Sequence, residues 1–507
     1  MSRFKNSVRN STTAVAWQVL NALITLVVRH IFIKTLGGDY LGVNGVMESM
    51  IRFLSVTELG IGASVAFLLY RPVACGDERK IGTLMAFYRR AYHTIAVFTF
   101  IIGILLFPFL KNLVKDAPGS EKLPLIWLIF LIDSVIDYTL SYKRTLINAY
   151  QNNYINTVNM ALFRLLRYAL QIAALLIYKS YIAYLLIHLL SGFLSDVHIS
   201  NYCDRKYPFL KTYRKEKLTK GNYALLKKSV TALLYHRVGL AIMTGMSDLI
   251  ISKMSVALMG LYSNYTLAIA TVNGLVSSVL QSITASVGDL MVQSSIRHKY
   301  KIYEEIVFVN FCLHFSVAVV FAGCLERFIA IITGGEGVLS GAVTFLVILN
   351  FFLHGMRHAN MLVIETAGLF GKLKLKVTLE AVIQPLSAIF FIKSFNMGLC
   401  GVLLGGCVSS LFVCTMWEAG VVHRYAFETS AKEYVIKYFY YLFTASFVSF
   451  INYFICRTIP HDGVLALITS FLVSALLAFV TIVLLYSKTD TFKNAASRIT
   501  IARKRAL

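Results

Sequence analysis

Apolar runs of about twenty residues recur along the whole chain, and this feature restricts its fold more than any other. A helix of about that length spans the hydrocarbon core of a bilayer. Fourteen such runs occur within the 507 residues, and hydrophobic residues make up 57% of the chain against 15% charged. This composition excludes a disordered chain and an ordinary soluble protein. The sequence predicts an all-α polytopic membrane protein with about fourteen transmembrane helices.

The formal net charge of +24 has two possible origins. A basic excess of this size is typical of nucleic-acid binding, but Lys and Arg also collect in the cytoplasmic loops of membrane proteins. With the N-terminus inside, 34 of the 49 basic residues fall in cytoplasmic segments, 9 in outer segments and 6 within apolar runs. We therefore predict a multi-pass protein with both termini in the cytoplasm and no nucleic-acid partner.

The longest and most basic cytoplasmic connection, residues 203–228, divides the sequence. It separates a predicted N-terminal six-helix lobe, 1–202, from a second six-helix lobe, 229–420. Two additional helices and a basic cytoplasmic tail follow in 421–507. The segments Leu-Gly-Val-Asn at 41–44 and Met-Gly-Leu-Tyr at 259–262 occupy matching places between the first two spans of each lobe. This similarity predicts that the two lobes are duplicated bundles, an arrangement that is common among membrane transporters.

Two familiar motifs are missing from the sequence. There is no GxxxxGK[ST] phosphate-binding loop, which excludes an ATP-driven pump built from this chain alone. His354 and His358 have the i, i+4 spacing of a zinc pair, but the glutamate of a zinc protease does not lie between them. We therefore expect no metal site.

Arginine within the apolar runs is the strongest functional signal. An arginine near the bilayer centre costs about 2.5–3.5 kcal/mol when it faces lipid, so these side chains must face partners or a wet cavity. Their guanidinium groups form paired hydrogen bonds with phosphate and stay charged when desolvated. We count four acids in the same runs, namely Glu48, Asp133, Asp137 and Asp248. The excess of arginine predicts a pyrophosphate or other anion site among Arg29, Arg52, Arg164, Arg167, Arg237 and Arg357.

Ion pairing is the alternative use of these charges. Asp133 and Asp137 share one face of the fourth apolar run, while Arg164 and Arg167 share a polar stripe on the fifth. Asp133 is therefore a candidate partner of Arg164 or Arg167 in a purely structural contact. The sequence leaves open which arginines bind substrate and which pair with acids.

Short motifs in both predicted lobes resemble a known family. They read Leu-Gly-Gly-Asp-Tyr-Leu-Gly-Val-Asn-Gly-Val at 36–46, Leu-Ser-Val-Thr-Glu-Leu-Gly-Ile-Gly-Ala-Ser at 54–64, Asp-Leu-Ile-Ile-Ser-Lys at 248–253, Gly-Leu-Tyr-Ser-Asn-Tyr-Thr-Leu at 260–267 and Glu-Thr-Ala-Gly-Leu-Phe at 365–370. From about residue 5 to 440 the chain resembles the Wzx-type oligosaccharide (O-antigen and capsule repeat-unit) flippases. These form a polysaccharide transporter family within the MOP (MATE-like) exporter superfamily.

This resemblance implies two six-helix lobes around a central cavity that opens alternately to either side. It implies a transporter, not an enzyme, in the bacterial plasma (inner) membrane. The substrate would be an undecaprenyl-diphosphate-linked oligosaccharide, moved from the inner to the outer leaflet of the bilayer for lipopolysaccharide, capsule or exopolysaccharide synthesis. Other polysaccharide-assembly membrane proteins are candidate partners. The first spans of each lobe would line the cavity, which points to Arg29, Arg52 and Arg237.

Energy coupling requires acids in the membrane. Transporters without an ATPase domain commonly use H⁺ or Na⁺, whose sites need intramembrane carboxylates. Glu58, Asp133 and Asp137 are the candidates, and ion pairing competes for each of them. We expect no other cofactor.

Two further functions remain as alternatives. A MATE-type cation or drug antiporter would present carboxylates, rather than arginines, to its ligand. A membrane-embedded glycan polymerase or ligase would place catalytic groups on a sizeable outer loop, and the predicted outer loops are all short.

Overall fold

The fold is helical wherever it can be described. The computed structural model describes residues 3–55, 61–113, 122–214, 216, 218, 245–282, 295–335, 337–460, 463–494 and 497. Throughout these ranges the regular elements are helices, and no strand occurs among them. Helices satisfy their backbone hydrogen bonds internally, as a bilayer demands. The predicted all-α fold class is confirmed.

The chain divides into two compact units, Met1–Ser263 and Asn264–Leu507. The border falls inside one helix, Val256–Ser282. The predicted boundaries at residues 202, 228 and 420 stay predictions. The first unit contains α1 (Arg3–Leu36), α2 (Asp39–Leu54), α3 (Ile61–Cys75), α4 (Glu78–Leu113), α5 (Leu123–Leu140), α6 (Arg144–Ala149), α7 (Asn153–Tyr178), α8 (Tyr181–Lys206), α9 (Phe209–Thr212), α10 (residues 245–254) and the start of α11 (Val256–Ser282).

The beginning of the predicted 203–228 linker is packed against the first unit. Helix α8 continues as far as Lys206, and the single turn α9 follows. Cys203, Tyr207 and Phe209 are buried in the same core cluster as Leu84. The apolar side chains inside this basic stretch explain the packing, because burying them removes apolar surface from water.

Helix α2 and the start of α11 approach each other closely at two glycines. A Cβ added at Gly42 would lie 2.0 Å from the carbonyl oxygen of Val256. A Cβ at Gly260 would lie 2.6 Å from the Gly38 carbonyl oxygen and 2.9 Å from the Gly42 nitrogen. Small residues allow such close backbone approach between membrane helices. Gly42 and Gly260 belong to the two segments whose likeness predicts a repeat, so the matching segments are in contact.

The second unit is also a bundle of helices. They are α12 (Ile296–Thr333), α13 (Gly341–Met356), α14 (His358–Thr366), α15 (Lys374–Phe395), α16 (Gly398–Val408), α17 (Met416–Val422), α18 (Lys432–Arg457) and α19 (Gly463–Tyr486). A π-helical stretch, Ser409–Thr415, joins α16 to α17. A short 3₁₀ turn, Leu369–Leu373, precedes α15.

Long apolar helices dominate both units. Eleven spans among the described residues are long and apolar enough to cross a membrane. Leu162 and Leu166 on α7, and Leu476 and Phe479 on α19, are each more than half exposed. Contiguous apolar surface of this kind is unusual in a soluble monomer. The protein is a multi-pass membrane protein whose exposed apolar faces contact lipid.

Candidate functional site

The structure describes most of the predicted site residues. Arg237 and Glu58 lie outside the described residues. The remaining ones lie in or next to membrane-spanning helices, and their roles as predicted from the sequence stay predictions. Their surroundings differ sharply, and the differences decide which side chains are open to a ligand.

Arg357 is the centre of a buried ion cluster in the second unit. It lies between α13 and α14, and its Nη2 and Nε donate to Oε1 of Glu418 at 2.7 and 3.1 Å. Its Nη1 donates to Oε1 of Glu380 at 3.3 Å. Lys376 bonds Glu418 at 3.1 Å and also contacts Glu380. None of the four side chains is more than 14% exposed. Two cations face two carboxylates, so the arginine is already neutralised.

The cluster corrects the sequence-based count of membrane acids, which was too low. Glu380, Glu418 and Asp196 also lie in membrane-spanning helices. Lys376 lies in α15 and is 1% exposed. Its i, i+4 spacing with Glu380 was the available signal, since residues four apart meet on one helix face. Among the described membrane-spanning helices, arginines therefore exceed acids only in particular places.

Two more cations are paired near the ends of α5 and α8. Arg144 Nη2 lies 2.7 Å from Oδ1 of Asp196, and its Nε lies 3.1 Å from the same oxygen. Lys143 Nζ lies 2.7 Å from Oδ1 of Asp204. These pairs join α8 to the segment that links α5 and α6.

Arg52, on α2, is paired but remains accessible. Its Nη2 lies 2.7 Å from Oδ2 of Asp248, and that oxygen also accepts a hydrogen bond from Ser49 Oγ at 2.8 Å. Its Nη1 lies 3.8 Å from Oε2 of Glu48. The side chains of Arg52 and Glu48 are 48% and 53% exposed. The charged group formed by Arg52, Glu48 and Asp248 is therefore accessible on one side.

Arg29, on α1, reaches the same region. Its Nη2 lies 2.5 Å from Ser263 Oγ, and the guanidinium is within electrostatic range of Glu48. The Asn44 side chain donates to Oε1 of Glu48 at 2.7 Å, which holds that carboxylate in place. Glu48 is thus shared by two arginines, Arg29 and Arg52.

Arg164 and Arg167 lie one turn apart on α7. They occupy the helix face that also carries the buried residues Tyr168 and Gln171, opposite the lipid-exposed Leu162. Arg164 is exposed on this polar face and forms neither a hydrogen bond nor an ion pair with the part of the chain that the structure describes. Arg164 lies eleven residues into α7, or about 17 Å along a helix of 26 residues. An open arginine therefore sits at mid-span.

Asp133 lies next to a histidine on α8. Its Oδ2 lies 3.8 Å from Nε2 of His188 on α8. Arg167 Nη1 lies 3.3 Å from Nδ1 of the same ring, and its guanidinium lies 5.0 Å from the centre of the Tyr168 ring. The predicted direct contact of Asp133 with Arg164 or Arg167 does not occur within salt-bridge distance. Asp137, one turn away, is exposed and has a contact of its own.

Tyrosines connect these arginines across the first unit. Tyr168 donates to the Asn21 side chain at 2.9 Å, which fixes α7 against α1. The Tyr184 phenol is within electrostatic range of both Arg29 and Arg167. His188 and Tyr184 were missed at the sequence level, where only their polarity within an apolar run marked them. We call Arg29, Arg52, Arg164 and Arg167 the arginine belt. Two of its members, Arg164 and Arg167, lack a carboxylate partner within salt-bridge distance among the described residues.

The sequence matches no protein-family model and no curated protein. Its fold, however, has relatives among solved structures. The lipid II flippase MurJ, in an inward closed conformation, is similar with a TM-score of 0.68 and 12% identity, over 95% of this chain and 99% of that one. An inward-facing multidrug resistance MATE family transporter of the MOP superfamily is similar with a TM-score of 0.60 and 12% identity, over 81% of this chain and 98% of that one.

A third similar structure is a MOP superfamily transporter from Pyrococcus furiosus with a binding pocket of reverse polarity. Its TM-score is 0.56 and its identity 14%, over 83% of this chain and 97% of that one. Sequence identities this low establish the fold alone. The predicted MATE/MOP-like architecture is confirmed.

Proposed function

We propose that this protein is a flippase for lipid-linked oligosaccharides. It moves an undecaprenyl-diphosphate-linked repeat unit from the inner to the outer leaflet of the bacterial plasma membrane by alternating access, for surface polysaccharide synthesis. The arginine belt holds the diphosphate while the polyprenyl chain stays in lipid. Arg357 is left out of this site because its donors are occupied by Glu380 and Glu418.

The pair of Arg164 and Arg167 carries the proposal. Two like charges one turn apart on a helix repel each other, and burial in a membrane adds a desolvation cost. Neither guanidinium lies within salt-bridge distance of a carboxylate in the described part of the chain. A diphosphate supplies several negative charges and oxygens suited to the planar guanidinium fork. Binding of such an anion would offset the repulsion between the two guanidinium groups.

The fold relatives support the same class of substrate. MurJ is a lipid II flippase by name, and its structure aligns with 95% of this chain. The Pyrococcus furiosus transporter has a binding pocket of reverse polarity, which indicates that this fold accommodates sites of either charge. A cationic site in a MOP-like fold is therefore compatible with transport. A non-enzymatic transporter is the function that we infer.

Coupling to H⁺ or Na⁺ is part of the proposal, with Asp133 as the ion-binding carboxylate. Asp133 lies beside His188, whose ring also contacts Arg167. A cation bound at Asp133 would change the charge next to Arg167. Cation binding at Asp133 and anion binding at Arg167 would then favour each other, because neutralising the carboxylate makes the surroundings of the guanidinium more positive. Asp137 and Glu58 remain candidates of the same kind.

Binding of undecaprenyl diphosphate to the purified protein tests the site. We expect the Kd for Arg164→Gln/Arg167→Gln to rise by about tenfold or more, because hydrogen bonds to charged groups contribute about 1.5–3 kcal/mol each. Lys393→Gln is the control, since it removes an exposed charge at the end of α15. An unchanged Kd in the double variant would rule out this diphosphate site.

A MATE-type cation or drug antiporter is the alternative function. The half-exposed carboxylate of Glu48 and that of Asp133, 35% exposed, favour it, because both lie among the belt arginines. The same binding assay separates the two functions when ethidium is added as a cationic probe. Tight ethidium binding that Asp133→Asn abolishes and undecaprenyl diphosphate does not displace would support the antiporter.

A further inference from the structure

A second basic site lies at one end of the first unit, apart from the arginine belt. It is a cavity of about 430 Å³ between α4, the ends of α5 and α8, and the α9 segment. Its wall includes Arg89, His93, Lys143, Asp204, Lys211 and Arg214. We call it the basic cavity. A cavity of this size is in the range of ligand-binding pockets.

Positive charge in the basic cavity exceeds negative charge. Asp204 bonds Lys143 at 2.7 Å and so neutralises that lysine. Arg89, Lys211 and Arg214 form no ion pair with the residues that the structure describes. The nearby Glu216 is already used, since its carboxylate accepts hydrogen bonds from Arg79 and Thr83 at 3.3 and 3.1 Å. Three cations therefore face the cavity without a counterion in the described part of the wall.

The arginines of the cavity are oriented toward a common volume. Arg89 Nε lies 3.2 Å from Nε2 of His93, which fixes the guanidinium and leaves its terminal nitrogens available. Both Arg89 and Arg214 are within electrostatic range of His93 and of the Tyr142 phenol. The Lys143 ammonium, which also bonds Ser200 Oγ at 2.8 Å, forms the floor beside them. Convergent arginine forks are suited to phosphate oxygens.

The basic cavity lies near the level of lipid headgroups. Helix α4 has 36 residues and is about 54 Å long, well beyond the roughly 30 Å of hydrocarbon. Its large exposed apolar side chains begin at Val97 and Phe98. Arg89 precedes Val97 by about two turns, or roughly 12 Å. The charge pattern predicts that this end of the helix is cytoplasmic, where anionic headgroups attract basic pockets.

We propose that the basic cavity binds the phosphate of an anionic compound, most simply a phospholipid headgroup of the inner leaflet. The site is separate from the proposed transport site, since it shares no residue with the arginine belt. It would hold its ligand by Arg89, Lys211 and Arg214, and the ligand would tie α4 to α8 and α9. Bound anion would therefore stabilise the first unit, because a ligand of the folded state alone raises its stability.

Thermal unfolding in nanodiscs tests the basic cavity. Phosphatidylglycerol should raise the unfolding temperature of the wild-type protein relative to phosphatidylcholine alone, and native mass spectrometry should detect retained phosphatidylglycerol. Arg89→Gln/Arg214→Gln should weaken this binding by about tenfold or more, because two charge-assisted contacts are lost. Arg71→Gln/Lys80→Gln is the matched control, since it removes two exposed charges from the same predicted side of the membrane.

Inorganic phosphate and pyrophosphate distinguish the source of the anion. If neither inorganic phosphate nor pyrophosphate competes with phosphatidylglycerol, the result supports a lipid headgroup as the ligand. Stabilisation by pyrophosphate in phosphatidylcholine discs supports instead a soluble phosphate compound in the same cavity. Equal loss of binding in both double variants would overturn the proposal, as would a wild-type protein that none of these anions stabilises. Arg89→Lys/Arg214→Lys keeps the charge without the fork, so partial binding by this variant supports the site even where the glutamine variant fails to fold.

Discussion

At the scale of single residues, arginine has opposite surroundings in the two units. Arg357 has its three donor nitrogens occupied by Glu380 and Glu418 and is almost fully buried. Arg164 is exposed on a polar helix face and has no ion pair among the described residues. Composition does not distinguish these arginines, because each lies in an apolar run. Their partners distinguish them, and the difference has a measurable consequence for stability.

Arg357→Gln should destabilise the protein far more than Arg164→Gln. Breaking a buried ion pair leaves an uncompensated charge and typically costs about 3–5 kcal/mol. Arg164→Gln removes a charge that repels Arg167, so we expect little change or a small gain in stability. Thermal and chemical unfolding of the two purified variants in detergent measures the contrast. Similar losses in both variants would mean that Arg164 also has an essential partner within the protein.

Residues that share a helix were predictable, and contacts between helices were less so. The polar stripe with Arg164, Arg167 and Gln171 follows from helical periodicity alone. The position of Asp133 beside His188 depends on how α5 packs against α8, which no local pattern encodes. The burial of Lys376 between Glu380 and Glu418 could not be predicted either, because a charge near the end of an apolar run resembles a loop residue until its partners are known.

At the scale of helices, glycine allows the close approach of α2 and α11 in the first unit. Gly42 of α2 and Gly260 of α11 leave no room for a Cβ. The similarity of the two segments is visible in the sequence, but their contact could not be predicted from it. The apolar runs located the helices well, because bilayer thickness sets their length. No sequence pattern indicated the break between α13 and α14 at Arg357, or the π-helical stretch Ser409–Thr415.

Gly42→Ala should destabilise the packing of α2 against α11. The new Cβ would lie 2.0 Å from the Val256 carbonyl oxygen, which belongs to the backbone and has to shift. Overpacking of this kind typically costs about 1–3 kcal/mol. Gly38→Ala is the matched control, since nothing lies within 4 Å of a Cβ at that position and its backbone is already helical. The unfolding temperatures of both variants measure the difference.

An equal unfolding temperature for the Gly42 and Gly38 variants would contradict this helix contact. Transport offers an independent readout, because separation of α2 from α11 also disturbs Arg52 and Asp248, which pair across α2 and α10. We therefore expect Gly42→Ala to lower flipping as well as stability, while Gly38→Ala leaves both unchanged.

At the scale of the whole molecule, the net charge of +24 divides into separate contributions. Most basic residues follow the pattern of cytoplasmic loops, which predicts the orientation of the protein. Acids neutralise Arg52, Arg144 and Arg357, while Arg164 and Arg167, which have no carboxylate partner among the described residues, both lie in the first unit. The fold class could be predicted from apolar runs because a bilayer allows few alternatives. The location of the open charge required the packed structure.

The central claim is that the arginine belt carries a lipid-linked anion across the bilayer. Deletion of the gene, followed by analysis of lipid-linked glycans on each leaflet, tests it most directly. We predict that one undecaprenyl-diphosphate-linked oligosaccharide accumulates on the inner leaflet, and that the wild-type protein and Lys393→Gln restore its export while Arg164→Gln/Arg167→Gln does not. Absence of such accumulation, or full export by the double variant at normal protein levels, would contradict the claim.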